Sequence, residues 1–166
     1  LHTPKMYAQF GEEAIFDWIF QNIGVTKGFV VDFGAGTLNS GLSNSKYLID
    51  KGWNGLLMDG NPSEKNDIIK QEFITRENIV SLFDKYNVPK DFDLLSIDID
   101  GNDFWVLEKI LESEYSPKVI INEFNGCIPE GELKIMAYNP NHTWGENDYY
   151  GASFNAFKIL AMKYNY

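Results

Sequence analysis

Apolar positions fall into two alternating rhythms along the chain. Ile15, Trp18, Ile19 and Ile23 recur at helical spacing and stop at Gly24, where a C-terminal cap belongs. Phe29-Val30-Val31-Asp32-Phe33 then reads as a buried strand that runs into Gly34-Ala35-Gly36. A helix carrying Leu42, Leu48 and Ile49 stops near Gly52, and a second strand, Gly55–Met58, ends at Asp59-Gly60-Asn61-Pro62. Pro62 suits the first turn of a further helix. Ile79, Leu82, Phe83 and Tyr86 mark another helix, followed by a strand over Asp93–Ile97 that ends in Asp98. Phe104, Leu107 and Leu111 belong to the next helix, and Lys118–Asn122 forms a fourth strand ending at Glu123. Ala156, Phe157, Leu160, Ala161 and Tyr164 stripe a final helix.

Strands that are apolar throughout and alternate with helices predict a parallel sheet covered on both faces. The fold class expected is therefore α/β, an open, doubly wound, Rossmann-like sheet in a single domain over 1–166. Residues 1–27 form its N-terminal helical region, and no linker or repeat suggests a boundary. Ligands of such sheets bind at the carboxyl ends of the strands. The polar clusters lie there: Asp32–Gly36, Asp59–Asn61, Asp98–Asp103 and Glu123–Asn125.

Composition narrows the function. The chain has 166 residues, of which 44% are hydrophobic and 15% aromatic, an ordinary globular make-up with ample core material. Its net charge of −10, with no long Lys/Arg cluster, disfavours nucleic acid and anionic membrane surfaces as partners. No apolar run approaches the roughly 20 residues of a membrane-crossing helix. The single cysteine, Cys127, excludes an intrachain disulfide, and no Cys/His spacing suits zinc. A reducing, cytoplasmic setting is the expectation. The amino terminus lacks a signal-peptide pattern and an initiator Met, as a trimmed piece would.

The glycine turn after the first strand would let a backbone approach a ligand closely. The next glycine is Gly41, so the G-x-G-x-x-G dinucleotide spacing fails. A tight turn without ligand is the plain alternative. Asp59 ends the second strand, where its two acceptor oxygens suit the vicinal hydroxyls of a ribose; pairing with a helix N-terminus is its everyday use. Asp98-Ile99-Asp100-Gly101-Asn102-Asp103 crowds three carboxylates into six residues, which calls for a cation, backbone N–H groups or solvent. Hard oxygen ligands suit Mg²⁺ or Ca²⁺, and Asp98, Asp100, Glu123 and Asn125 form the expected metal set. D-x-D-G also resembles the nucleophile motif of haloacid-dehalogenase-type phosphatases, without their downstream acidic pair.

Gln9-Phe10-Gly11-Glu12-Glu13, Val31–Gly36, Asp93–Asp103 and Gly151-Ala152-Ser153 together resemble the FkbM-like class I S-adenosylmethionine-dependent methyltransferases. The similarity covers roughly residues 8–166. It implies a methyltransferase-type sheet with adenosylmethionine across the first two strand ends. Gly34 and Gly36 would lie by the methionine moiety, Asp59 on the ribose and Asp98 near the transferred methyl. Asp32, Ala35, Asn39, Gly60 and Asn61 complete the expected cofactor set. Such folds close with an antiparallel hairpin that this chain lacks, so an exposed sheet edge and pairing between copies are expected.

The stretch 126–150 has no periodicity and carries Tyr138, His142, Trp144, Tyr149 and Tyr150. It reads as a substrate loop, or else as a surface loop with incidental aromatics. Asp98, Glu123 and His142 are the candidate acid–base residues. The expected activity is methyl transfer from adenosylmethionine, O-directed, to a small molecule or sugar. A D-x-D-G phosphatase and a non-catalytic binding module are the alternatives.

Overall fold

The computed structural model describes residues 12–36, 43, 45–61 and 68–166. The Gln9-Phe10-Gly11 opening, Asn39, Leu42 and the Pro62 helix start lie outside the described residues. The elements are α1 (Glu13–Asn22), β1 (Phe29–Phe33), α2 (Lys46–Asp50), β2 (Asn54–Asp59), β3 (Ile69–Gln71), α3 (Ile79–Lys85), β4 (Leu94–Ile97), α4 (Asp103–Leu111), β5 (Val119–Asn122) and α5 (Phe154–Lys163). The strands form one five-stranded, all-parallel sheet of order β3-β2-β1-β4-β5, a Rossmann-like arrangement. Phe29 lies opposite Asn54 and Phe33 opposite Met58 in the β1–β2 register.

The burial pattern explains why these segments are strands. Val30, Val31, Phe33, Leu94, Leu95 and Ile97 are all essentially inaccessible, as expected where both faces are covered. The sheet has one strand more than the sequence pattern suggested. β3 is only Ile-Lys-Gln, too short to show a period, and it pairs parallel to β2 over Leu57–Asp59. Its one buried side chain, Ile69, packs with Ala35 and Leu57, and Ile49 of α2 leans on the same cluster. Among the described residues no strand follows β5 in the chain, apart from an isolated antiparallel bridge between Ile135 and Ala152.

By its contacts the chain divides into two compact units. The first holds the chain up to Phe73 with 91–96 and 117–120; the second holds 74–90, 97–116 and 121–166. In the first unit, Asp93 organises the start of β1. Its carboxylate accepts the Phe29 N–H at 2.8 Å and lies 2.6 Å from Lys118 Nζ. Gly28 leaves room for it, since a Cβ there would stand 2.3 Å from Asp93 Oδ2. In the second unit, α3 and α4 pack through buried Leu82, Phe83, Val106 and Ile110, and Phe83 meets Tyr115 edge-on at 4.8 Å. No helix among the described residues is long and apolar enough to cross a membrane.

One face assignment reverses. The Ile15, Trp18, Ile23 stripe of α1 points outward, with Trp18 69% exposed, while Phe16 and Phe20 are buried. Phe20 meets Trp53 edge-on at 4.7 Å. The helix is apolar on two sides, and periodicity alone does not tell which one finds aromatic partners. Phe16→Ala is therefore expected to cost about 3–5 kcal/mol in urea unfolding, whereas Trp18→Ser stays within about 0.5 kcal/mol.

Candidate functional site

In the first unit, the turn after β1 is built by backbone bonds to β2. The Gly34 and Ala35 N–H groups both donate to the Met58 carbonyl, at 3.1 and 3.3 Å. Gly34 and Gly36 have φ of 71° and 52°, a region open to glycine without strain. The Asp59 carboxylate then spans two turns: Oδ2 accepts the Gly36 N–H at 2.8 Å and Oδ1 accepts the Asn61 N–H at 2.7 Å. Each oxygen keeps capacity for another donor. Among the described residues, a Cβ on Gly36 would meet nothing nearer than the Gly34 carbonyl oxygen at 3.9 Å. A Cβ on Gly60 would press on the Phe73 ring at 3.2 Å, which gives that glycine a packing reason.

Asp32 lies beneath this turn, 3% exposed. The hydroxyls of Ser45 and Ser43 reach its Oδ2 at 2.6 and 3.4 Å. Burial raises its pKa, and the bonds from Ser45, Ser96 and Ser43 oppose that rise. It is an internal strut of the turn.

In the second unit, carboxylate oxygens of Asp98, Asp100 and Glu123 lie within 4.8 Å of one another at the carboxyl ends of β4 and β5. Asp103, 1% exposed, shapes the loop that presents them. Its carboxylate accepts the Ile99 N–H at 2.9 Å and the Gly101 N–H at 2.8 Å, leaving the intervening Asp100 at φ 54°. Burial pushes the Glu123 pKa up to about 8, with the charges of Asp98, Asp103 and Asp100 adding to it. Burial likewise raises Asp100, against the pull of His142. At neutral pH the cluster therefore holds a proton that isolated carboxylates would have lost.

The donor set fits a hard divalent cation. Mg²⁺ and Ca²⁺ both take such oxygen donors. Asn125, the fourth residue expected in that set, is otherwise engaged. Its Nδ2 donates to the Asp148 and Tyr150 carbonyls, both at 2.9 Å, and its Oδ1 accepts the Cys127 N–H at 2.9 Å.

The segment 126–150 is fastened along its length. Asn102 and Asn139 exchange bonds, Nδ2 to carbonyl at 2.8 Å and N–H to Oδ1 at 3.4 Å. Trp105 Nε1 donates to the Met136 carbonyl at 2.8 Å, and Tyr138 bonds Glu77 and the Arg76 N–H. His142 lies flat against Gly101, where a Cβ would stand 2.3 Å from its Cδ2. Its Nε2 is buried and lacks a hydrogen-bond partner among the described residues. Trp144 and Tyr149 are about half exposed. Three structural roles escaped the sequence reading: Asp103, Asn102 and Gly101 build and brace the acidic loop. The density of turn-forming residues in Asp100-Gly101-Asn102-Asp103 is the signal that points to them.

No protein-family model, curated protein or solved structure matches the chain.

The raised Glu123 pKa has a signed consequence. Between the ordinary value of 4.5 and about 8, the unfolded chain loses this proton while the folded one keeps it. Stability in cation-free buffer is expected to fall as pH rises through that window, and to level off above it. Glu123→Gln should flatten the slope, as read by urea unfolding at a series of pH values.

Proposed function

We propose that the chain is an S-adenosylmethionine-dependent methyltransferase acting on a hydroxyl of a small molecule or sugar. The observation that carries this reading is the Asp59 carboxylate. Backbone N–H groups of Gly36 and Asn61 already fix its orientation, and each oxygen retains room for one more donor. A ribose diol supplies two donors at that spacing. The β3-β2-β1-β4-β5 parallel sheet supports the same reading. Gly34, Ala35 and Gly36 would line the methionine end, with Gly60 and Asn61 beside the ribose.

Held by Gly34, Gly36 and Asp59, the cofactor would supply an activated methyl group for the acceptor oxygen. This chain's residues have two tasks. Alignment of the reactants contributes on the order of 7–11 kcal/mol at best. The acceptor's proton must also find a base. Asp98, exposed and sharing the cluster's charge with Glu123, is the residue suited to take it. Glu123, with its pKa raised to about 8, holds its own proton near neutrality. A divalent cation held by Asp98, Asp100 and Glu123 would instead stabilise the acceptor as its alkoxide. His142, the third candidate acid–base residue, packs against Gly101 of the same loop with its Nε2 buried, which gives that nitrogen no direct reach to an acceptor.

A second reading has one observation in its favour. Asp98 and Asp100 of the D-x-D-G string meet Glu123 in a set suited to a hard cation, as a metal-dependent phosphatase requires.

Calorimetric titration separates these readings. The wild-type protein is expected to bind adenosylmethionine and adenosylhomocysteine, and Asp59→Ala to weaken both at least tenfold with the circular dichroism spectrum unchanged. Asp98→Asn should keep cofactor binding. Absence of binding by the folded wild-type protein would overturn the methyltransferase reading. Mg²⁺-dependent release of phosphate from a generic ester, lost in Asp98→Asn, would install the phosphatase.

A further inference from the structure

A cavity of about 290 Å³ opens in the second unit between the start of α5 and the chain following β5. Its volume lies at the small end of the roughly 300–1,000 Å³ range of ligand pockets, enough for one ring rather than an extended ligand. Phe124 and Phe154 form one wall, their rings edge to face at 5.7 Å, and both stay about half exposed. Ile128 and Pro129 extend the apolar surface, and Glu130 stands at the lining with its carboxylate. Asn155, Ser153 and a second acid, Glu132, line it as well.

The polar groups here are of opposite kinds. Phe154 and Asn155 are the first two residues of α5, so their N–H groups have no acceptor within the helix. Ser153 caps that helix through Ala156, and both Phe154 and Asn155 line the cavity. Glu130 contributes acceptors only; the neighbouring Glu132 is neutralised by Lys134 at 2.5 Å. An anion would be repelled by Glu130, and a cation would face the positive end of α5. A neutral ring bearing hydroxyls satisfies both kinds of group, because each hydroxyl donates and accepts. Its C–H face suits the exposed phenyl rings.

We infer that this cavity is a binding site for a single neutral sugar ring, with Phe154 as the stacking platform. The assignment does not rest on methyl transfer, and its test contains no cofactor.

Backbone amide spectra recorded during titration with the methyl glycosides of glucose, galactose and mannose provide that test. At least one glycoside is expected to shift the Phe124, Phe154 and Asn155 amides in a saturable manner. Phe154→Ala, a change at an exposed position, should weaken that binding about fivefold or more. Glu130→Gln, which keeps an acceptor oxygen, should change it about twofold. The inference fails if none of the three glycosides moves these amides at tens of millimolar. It fails equally if tetramethylammonium or sulfate moves them as strongly as the glycosides do, because recognition would then be of charge.

Discussion

Carboxylates gathered at the ends of β4 and β5 impose the constraint around which the second unit is arranged. Like charges a few ångströms apart repel strongly wherever protein excludes water, so the cluster persists only with a proton, a cation or donors supplied by the chain. Asp103 takes two backbone N–H groups and lies buried. The remaining charge falls on Asp98, Asp100 and Glu123, and Glu123 responds by holding its proton. A fold that needed nothing from this corner would have resolved the repulsion with a single amide.

The first unit solves a related problem differently. Asp59 is fully occupied in orientation yet not in bonding capacity, because backbone N–H groups hold it from one side only. Rigid before any ligand arrives, such a carboxylate has little side-chain entropy left to lose. Asp32 below it illustrates the opposite use of the same side chain, enclosed by serine hydroxyls and closed to solvent.

The layout of this protein was largely legible in its sequence because buried parallel strands write themselves as unbroken apolar runs. β1 and β4 announce themselves in that way, and each is followed by its polar cluster. β3 could not be read: three residues with one buried side chain carry no period. The face of α1 could not be read either, since both flanks are apolar and the choice depends on Trp53, thirty residues further along. At the site, residue type and position on strand ends singled out Asp59, Asp98 and Glu123. What residue type cannot convey is where a side chain's bonding capacity goes. Asn125 looks like a ligand in sequence, yet its amide is consumed by three backbone partners.

That Asn125 amide has a wider consequence. By gripping the carbonyls of Asp148 and Tyr150, it joins the two feet of a long excursion into a closed ring. Lengthening a loop already closed at its base costs little, about 0.6 kcal/mol per doubling. Changes of length between the Asn139 and Asp148 anchors therefore cost little in closure entropy, whereas His142 ties its own stretch to Gly101. One asparagine thus sets the base of the loop, and the loop's length can change at little entropic expense.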